Sequence, residues 1–379
     1  MIKIIVALVI LAFFPENCTG QIERVWLTHP TNTPDKLSIN WESARPGNAE
    51  VYYGDSEKYD SVVVVQENTK LHQVEISLSS EVDIYHYQVS SNGQKSADYT
   101  FKNYTGDELR VAVVADWQGK PNLDVLLQED IHLLLTAGDN ISSIHGSCGI
   151  GNADCIEPYR QLIDTYPKLF SSTPFMPVLG NHDREIRPRG KTPPDEPVYD
   201  IEASAFRRFF ALPGDEWKWT FAIPDFDVRF VALDLNHITD QGNSWQTCHP
   251  FGKNTVQYKW YSEEMSQVDE AFVVTLQNEK NERMRQQENG EWQQLFEQGT
   301  AVVTGYGYFA ERAVVNGFPY FNTSLNGKGD VYPDTHTKFL QSEDSYILLS
   351  FPIQKNVMTV EIKDHDGKVL DRSEWNRNQ

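Results

Sequence analysis

The alternation of apolar and polar residues changes character once along the chain. From Gln21 to about Asn103 it comes in short runs: Leu37-Ser38-Ile39-Asn40-Trp41 alternates, Glu50 to Gly54 follows a Pro-Gly-Asn turn, Ser61 to Gln66 is rich in β-branched residues, and Leu71 to Leu78 alternates again. Tyr85 to Val89 leads into Ser90-Ser91-Asn92-Gly93, a hairpin turn, with Ala97 to Phe101 as the partner strand. Period-two patterning puts one face of each strand inside, and strands spaced by about ten residues with turn signals between them predict an antiparallel sandwich of immunoglobulin-like type.

From Leu109 onward the strands become continuous apolar runs that stop at polar residues. Val111 to Val114 meets Asp116-Trp117-Gln118, and Ile131 to Leu135 meets Gly138-Asp139-Asn140. Phe175 to Leu179 meets Gly180-Asn181-His182-Asp183, and Val228 to Leu233 meets Asp234-Leu235-Asn236-His237. Ala271 to Leu276 meets Gln277-Asn278, and Ala301 to Val303 meets Gly305-Tyr306-Gly307-Tyr308. Helical stretches stand between several of them, at Pro158 to Phe170, Ser204 to Phe210 and Glu291 to Gln298. Such runs alternating with helices predict an α/β domain whose strands are covered on both faces, with ligands at the carboxyl ends of the strands.

The first twenty residues read differently again. Lys3 precedes an unbroken apolar run from Ile4 to Phe14, and Cys18-Thr19-Gly20 forms a small-residue cleavage site. A bilayer span needs about 20 apolar residues, so this is a leader peptide and the protein is expected to be secreted, extracellular or periplasmic. The expected organisation is a signal peptide at 1–20, a sandwich domain at 21–106 and an α/β domain at 107–379. In an oxidising compartment Cys148 and Cys155 could close the six-residue loop between them, leaving Cys248 unpaired. Asn103, Asn140 and Asn322 each open an Asn-x-Ser/Thr triplet. With 54 acidic against 33 basic residues the net charge is −21. That field repels nucleic acid and anionic membranes, and neither is expected as a partner.

The strand ends carry the chemistry. Asp116, Asp139 and Asn181 offer hard oxygen donors, and His182 adds an imidazole. A carboxylate that bridges two divalent ions, with further oxygens on each, suits a clamp on both oxygens of a phosphoryl transfer. A nearby imidazole can protonate the leaving group.

This order of motifs resembles the calcineurin-like metallophosphoesterases, and within them the purple acid phosphatase branch, which carries a fibronectin-type sandwich before the catalytic domain. The resemblance also covers Ile347 to Ile353, Val357 to Ile362 and Asp364 to Leu370, similar to the family's closing strands. It implies a four-layer β-sandwich flanked by helices, phosphoester hydrolysis, and a bimetallic centre of Fe, Zn or Mn. Asp116, Asp139 and Asn181 take the metal positions, and His182 the contact to the transition state and leaving group. Four nitrogen ligands are replaced: the D-x-H histidine is Gln118, the fourth motif places Gln277, and G-H-x-H has become Gly305-Tyr306-Gly307-Tyr308. The tyrosine that colours purple enzymes falls at Ser142. Without those nitrogen donors the site keeps at most one weakly bound hard cation such as Mg²⁺ or Ca²⁺, and the two tyrosines fill the space. Asn236 and His237 are candidates to compensate. Arg184, Arg187, Arg189 and Lys191 form a cationic loop, with Arg187 and Arg189 as candidate contacts to a phosphate ester or other anion. Two functions are expected: a phosphoesterase of weak or absent turnover, or a silent protein that binds an anionic ligand or a protein partner, the latter through the N-terminal domain.

Overall fold

The computed structural model describes residues 22–376; the expected leader lies outside them. The expected strands of the first hundred residues are extended but not separate. Two of them fuse into Lys36–Gly54 and two more into Ser61–Ser77. These long strands run antiparallel, with Leu37 opposite Ile76 and Val51 opposite Val63. Their register slips between Glu42 and Ala49, where Arg45-Pro46-Gly47 interrupts the alternation; a bulge there bends the ribbon. Ile22–Thr28 pairs with the first half of Lys36–Gly54, and Ile84–Ser91 with the second half. Leu27, Ile39, Trp41, Val51, Tyr87 and Val89 meet in one buried cluster. The hairpin at Asn92-Gly93 has φ of 52° and 75°, the positive pair a two-residue type I′ turn requires. Only Gln94–Lys95 pairs directly across it, and the ladder resumes at Tyr99–Lys102.

Two mixed sheets follow. The first has the order 369–376, 357–364, 345–352, 108–114, 133–136, 175–176, its last three strands parallel. The second has the order 219–223, 228–232, 272–277, 301–304, 318–322, 310–315, 337–341, parallel from 228–232 through 318–322. Phe230, Val274 and Val303 point between the sheets, where the Phe351 ring lies 6.1 Å from Phe230 and 5.5 Å from Phe272. The alternate residues Val231, Val273 and Val302 point outward into a second cluster with Tyr261 and Trp292 of helices Val256–Ser266 and Glu291–Phe296. On the far side, Tyr159, Phe170, Phe206 and Phe209 of the other helices pack around Phe175 and Trp117. Both faces of the central parallel strands are therefore covered, which is why these strands read as continuous runs.

The structure corrects three details. The stretch expected as one helix at 158–170 is two, Glu157–Thr165 and Pro167–Ser172. Pro167 lacks the N–H that would continue the first helix and instead opens the second. The helix expected to run to Gln298 stops at Phe296. Helix Val256–Ser266 was not among the expected elements; it buries Gln257 beside Tyr258, Tyr261 and Met265, so no clean apolar stripe marks it. Among the described residues no helix is long and apolar enough to cross a membrane.

The N-terminal antiparallel sheet docks on helices Glu157–Thr165 and Ser204–Phe209. Trp26 stacks on Phe209 at 4.3 Å. Arg160 grips Glu42 with two bonds of 2.6 and 2.8 Å, and Arg24 reaches Asp164 at 2.9 Å. His29 is fully buried at this junction between the Lys36 carbonyl and the Tyr104 hydroxyl, 2.7 Å from each. Burial pushes its pKa down to about 4, whereas the unfolded chain titrates near 6.5. Between those values the unfolded state binds the proton and the folded state does not. This contribution is therefore complete above about pH 6.5 and is lost as pH falls towards 4, amounting to on the order of 3 kcal/mol. The urea midpoint should fall between pH 7 and pH 4.5, and His29→Gln should flatten that dependence; an unaltered slope would assign it to other groups.

Candidate metal centre and ligand cavity

Five parallel strands from the two sheets deliver their carboxyl ends to one cavity of 250 Å³. Asp116 and Asp139 enter it after strands 108–114 and 133–136, and Asn181 and His182 after Phe175–Met176. Asn278 follows Phe272–Gln277, and Gly305 to Tyr308 follow Ala301–Thr304. Asp116 and Asp139 both sit in the left-handed region, with φ of 51° and 57°, at a cost of about 1–3 kcal/mol each. Their neighbours hold them there. Trp117 N–H donates to the Asp139 carbonyl at 2.7 Å, and the Asn278 amide ties Ala137 O to Gly305 O at 2.8 and 2.9 Å. Gly180 and Gly305 permit the close approach: a Cβ on Gly180 would lie 2.1 Å from Asp139 Oδ1, and one on Gly305 2.2 Å from the Ala115 Cβ.

Burial raises the pKa of both aspartates; the charge of Asp139 raises that of Asp116 further. Asp139 has the counter-charges of His182 and Arg184 nearby and accepts the His182 N–H at 3.0 Å. Asp116 Oδ2 is buried with no donor. An orphaned carboxylate oxygen beside a second buried carboxylate is the arrangement a divalent cation satisfies, so Asp116, Asp139 and Asn181 fit one. They do not fit two. No trio of acidic, imidazole and thiol groups converges within 4.8 Å here; among the described residues the one such trio is Glu57, His86 and Asp98, within the N-terminal hundred residues.

Gln118 Oε1 accepts the Tyr308 hydroxyl at 3.3 Å, so two of the positions where the resemblance places imidazoles bond to each other. Burial, then Asp116 and Asp139, raise the Tyr308 pKa and keep the phenol protonated. Tyr306 faces Tyr332 at 5.8 Å with Arg283 over its ring at 5.4 Å. Gln277 is a correction: its amide is spent on Glu279 and Asn281 in a buried turn, and the cavity receives Asn278 instead.

His182 Nδ1 lies 2.7 Å from the Ser142 carbonyl and 3.3 Å from Glu185 Oε2. Burial opposes its charging, but Asp139, Glu185 and Ser142 outweigh that and raise its pKa. With Nδ1 committed, Nε2 is the nitrogen left to meet a ligand. The turn that carries it is braced by Asp183, which accepts Gly180 N–H at 2.8 Å and the Asn140 amide at 2.9 Å; burial and Asp139 push this carboxyl up to about 7.

The cationic loop disperses. Arg184 is fully buried in a two-bond pair with Asp234, at 2.6 and 3.1 Å. Arg187 does not line the cavity: it pairs with Glu196 at 2.5 Å and leans on Gly151 in the loop closed by the Cys148–Cys155 disulfide. Arg189 does line it, bonded to Asp240 at 3.3 Å and 3.4 Å from His237 Nε2. His237 also borders the cavity, its pKa pushed down to about 3 by burial and Arg189, while Asn236 is buried in contact with Asp234. Asp330 and Tyr332 complete the wall; nothing in the sequence marked them, because they arrive on an irregular loop distant in the chain.

Residues 109–321 match the family model described as calcineurin-like phosphoesterase, more than half of the chain. The chain belongs to that family. Its fold is similar to purple acid phosphatase PPD1 from yellow lupin (Lupinus luteus) seeds, with TM-score 0.71 at 15% identity over 94% of this chain and 74% of that one. It is also similar to PhoD, with TM-score 0.66 at 12% identity over 92% and 91%. No curated protein is matched by its sequence.

Two outcomes follow from this geometry. Gly180→Ala must displace Asp139 and should weaken Mn²⁺ binding at least about tenfold by calorimetry. Gly119→Ala, whose Cβ meets nothing nearer than 3.9 Å, should leave it unchanged. The amide nitrogens of Asn103, Asn140 and Asn322 all donate to main-chain carbonyls, so intact-mass spectrometry of folded protein secreted from a eukaryotic host should find none of the three glycosylated.

Proposed function

We propose that this protein binds phosphate esters at the strand-end cavity and hydrolyses them weakly, using one divalent cation. The observation that carries the reading is Asp116 Oδ2, buried without a donor beside Asp139 and Asn181, while Gln118 and Tyr308 bond to each other where imidazoles would stand. Asp116, Asp139 and Asn181 would hold the ion. A divalent ion there supplies Lewis-acid polarisation of phosphoryl oxygen and eases ionisation of water. Arg189 attracts the phosphate, and His182 delivers a proton from Nε2 to the leaving oxygen. Protonated Tyr308 serves as a neutral hydrogen-bond donor. A single cation stabilises the attacking and leaving oxygens less well than a paired clamp, hence weak turnover. The Tyr308–Gln118 bond favours a second reading, in which the same cavity binds anionic ligands silently.

The register of the long strands supports a fibronectin-type sandwich at 21–106, one layer from Ile22–Thr28 and the adjacent half-strands, the other from Ile84–Ser91 and Tyr99–Lys102. That domain is available to a protein partner. The residue pattern of 1–20 and the Cys148–Cys155 disulfide support secretion, and the charge of −21 argues against nucleic acid and anionic membranes.

Calorimetry with Mn²⁺ or Mg²⁺ on the whole chain should give one weakly bound ion, and hydrolysis of p-nitrophenyl phosphate should be slow and fall further in His182→Asn. The combined variant Gln118→His, Asn278→His, Tyr306→His and Tyr308→His should raise metal stoichiometry. Two tightly held ions and rapid turnover in the unaltered protein would defeat the proposal.

A further inference from the structure

Outside the strand-end cavity, three metal-ligating side chains converge on the N-terminal sheet. Glu57, His86 and Asp98 each offer one donor atom, and those atoms lie within 4.8 Å of one another. The register of the sheet assembles them. Along Ile84–Ser91, Tyr85 and Tyr87 turn into the core, so His86 turns to the other face. His86 stands opposite Gly54 on one side and Thr100 on the other, and Asp98 precedes Thr100 by two positions. Gly54 ends its long strand, and the loop that follows carries Glu57. A Cβ on Gly54 would lie 3.0 Å from the main-chain nitrogen of Asp60, so the glycine lets this loop turn back tightly.

The charges of the trio do not balance. Asp98 Oδ2 lies 2.8 Å from His86 Nδ1, and Asp98 Oδ1 accepts the Tyr59 hydroxyl at 2.8 Å. Among the described residues no lysine or arginine forms an ion pair with Asp98 or with Glu57; His86 is the one basic group beside them. Two carboxylates therefore share a single imidazole, and even a protonated ring would leave one negative charge over. A divalent cation cancels both. An imidazole with two carboxylates is a donor set for Zn²⁺, whereas Ca²⁺ and Mg²⁺ take six or more oxygens. Zinc bonds of about 2.0–2.2 Å put tetrahedral ligands roughly 3.4 Å apart, a small closure for side chains at the surface. The His86 and Asp98 side chains are each 26% exposed, so water reaches the fourth position.

We infer that Glu57, His86 and Asp98 form a Zn²⁺ site on the N-terminal sheet, with water as the fourth ligand. The ion ties the loop after Gly54 to strand Ile84–Ser91 and to the entry of Tyr99–Lys102, three segments that the sheet itself joins only through main-chain bonds. It is independent of the strand-end cavity and of phosphoester binding there. Mn²⁺ stands below Zn²⁺ in affinity for nitrogen and oxygen donors, so zinc is the ion that reports on this site.

The test is zinc calorimetry on the untagged whole chain carrying Asp116→Asn, which weakens the strand-end site and relieves its carboxylate conflict, so the fold is kept. This protein should take up one Zn²⁺ ion. Adding Glu57→Gln or His86→Asn should weaken that binding at least about tenfold, since even residues that only support a ligand cost that much. Glu57 is exposed, so its substitution leaves the sheet intact. Zinc should also raise the thermal midpoint of the Asp116→Asn protein, and the rise should vanish once Glu57→Gln is added. His365→Asn, on an exposed turn, should change neither reading. If the Asp116→Asn protein binds no zinc, the trio is a hydrogen-bonded surface cluster and the site is wrong. If zinc binding survives Glu57→Gln and His86→Asn, the ion sits elsewhere and the site is equally wrong. Neither result bears on phosphoester binding, which rests on other residues.

Discussion

Asp116 and Asp139 are two carboxylates buried side by side, and the rest of the α/β half is arranged around that conflict. Burial disfavours the charge on each, and the charge of Asp139 further disfavours that of Asp116. Asp139 is relieved by the His182 N–H and by the positive charges of His182 and Arg184. Asp116 has only a side-chain hydrogen bond with Ser324, and its Oδ2 faces no donor. For stability alone, apolar residues of similar size would serve such a position at least as well. The pair also occupies strained left-handed backbone, maintained by Gly180, Gly305 and the Asn278 clamp. Strain and unrelieved charge at one spot, supported by so many neighbours, are what a ligand-binding site requires and a packing core does not.

The support reaches far into the fold. The Gly180–Asp183 turn is held from below by Asp183 and from the side by Arg184, whose partner Asp234 ends a strand of the other sheet and is also bound by His249 at 2.6 Å. The turn therefore links the two sheets at their shared edge. From above, Glu185 joins His182 to the disulfide loop: its carboxylate lies 3.3 Å from His182 and 3.4 Å from His145, and its carbonyl accepts the N–H groups of Ile144 and His145. His182 is thus fixed by Asp139, Ser142 and Glu185, and Glu185 in turn is held by the segment that leads into the disulfide loop, while Gln118 and Tyr308 bond to each other.

Much of this was legible in the sequence, and the failures have physical reasons. Continuous apolar runs ending in polar residues located the parallel strands to within a few positions, because burial on both faces leaves no room for polar residues. The fused strands of the first sheet were not legible, since Arg45-Pro46-Gly47 looks like a turn and in fact forms a bulge. Gln277 and Asn278 show the hazard of a period-two element: a slip of one residue moves the side chain to the opposite face. The arginine cluster misled because closeness in sequence is not closeness in space; Arg184, Arg187 and Arg189 point to an aspartate in the core, the disulfide loop and the cavity respectively. Asp330 and Tyr332 carry no local signal at all.

The charge of the whole molecule bears on how the cavity works. A net −21 and three aspartates in the wall, at 116, 139 and 330, make the empty space attractive to cations and unattractive to phosphate. Arg189 alone offsets little of this, since Asp240 already shares its charge. A phosphate ester would therefore gain most of its attraction only after a cation had entered, and the cation would be held more firmly once phosphate shared its charge. The two affinities are linked, and the coupling acts equally in both directions.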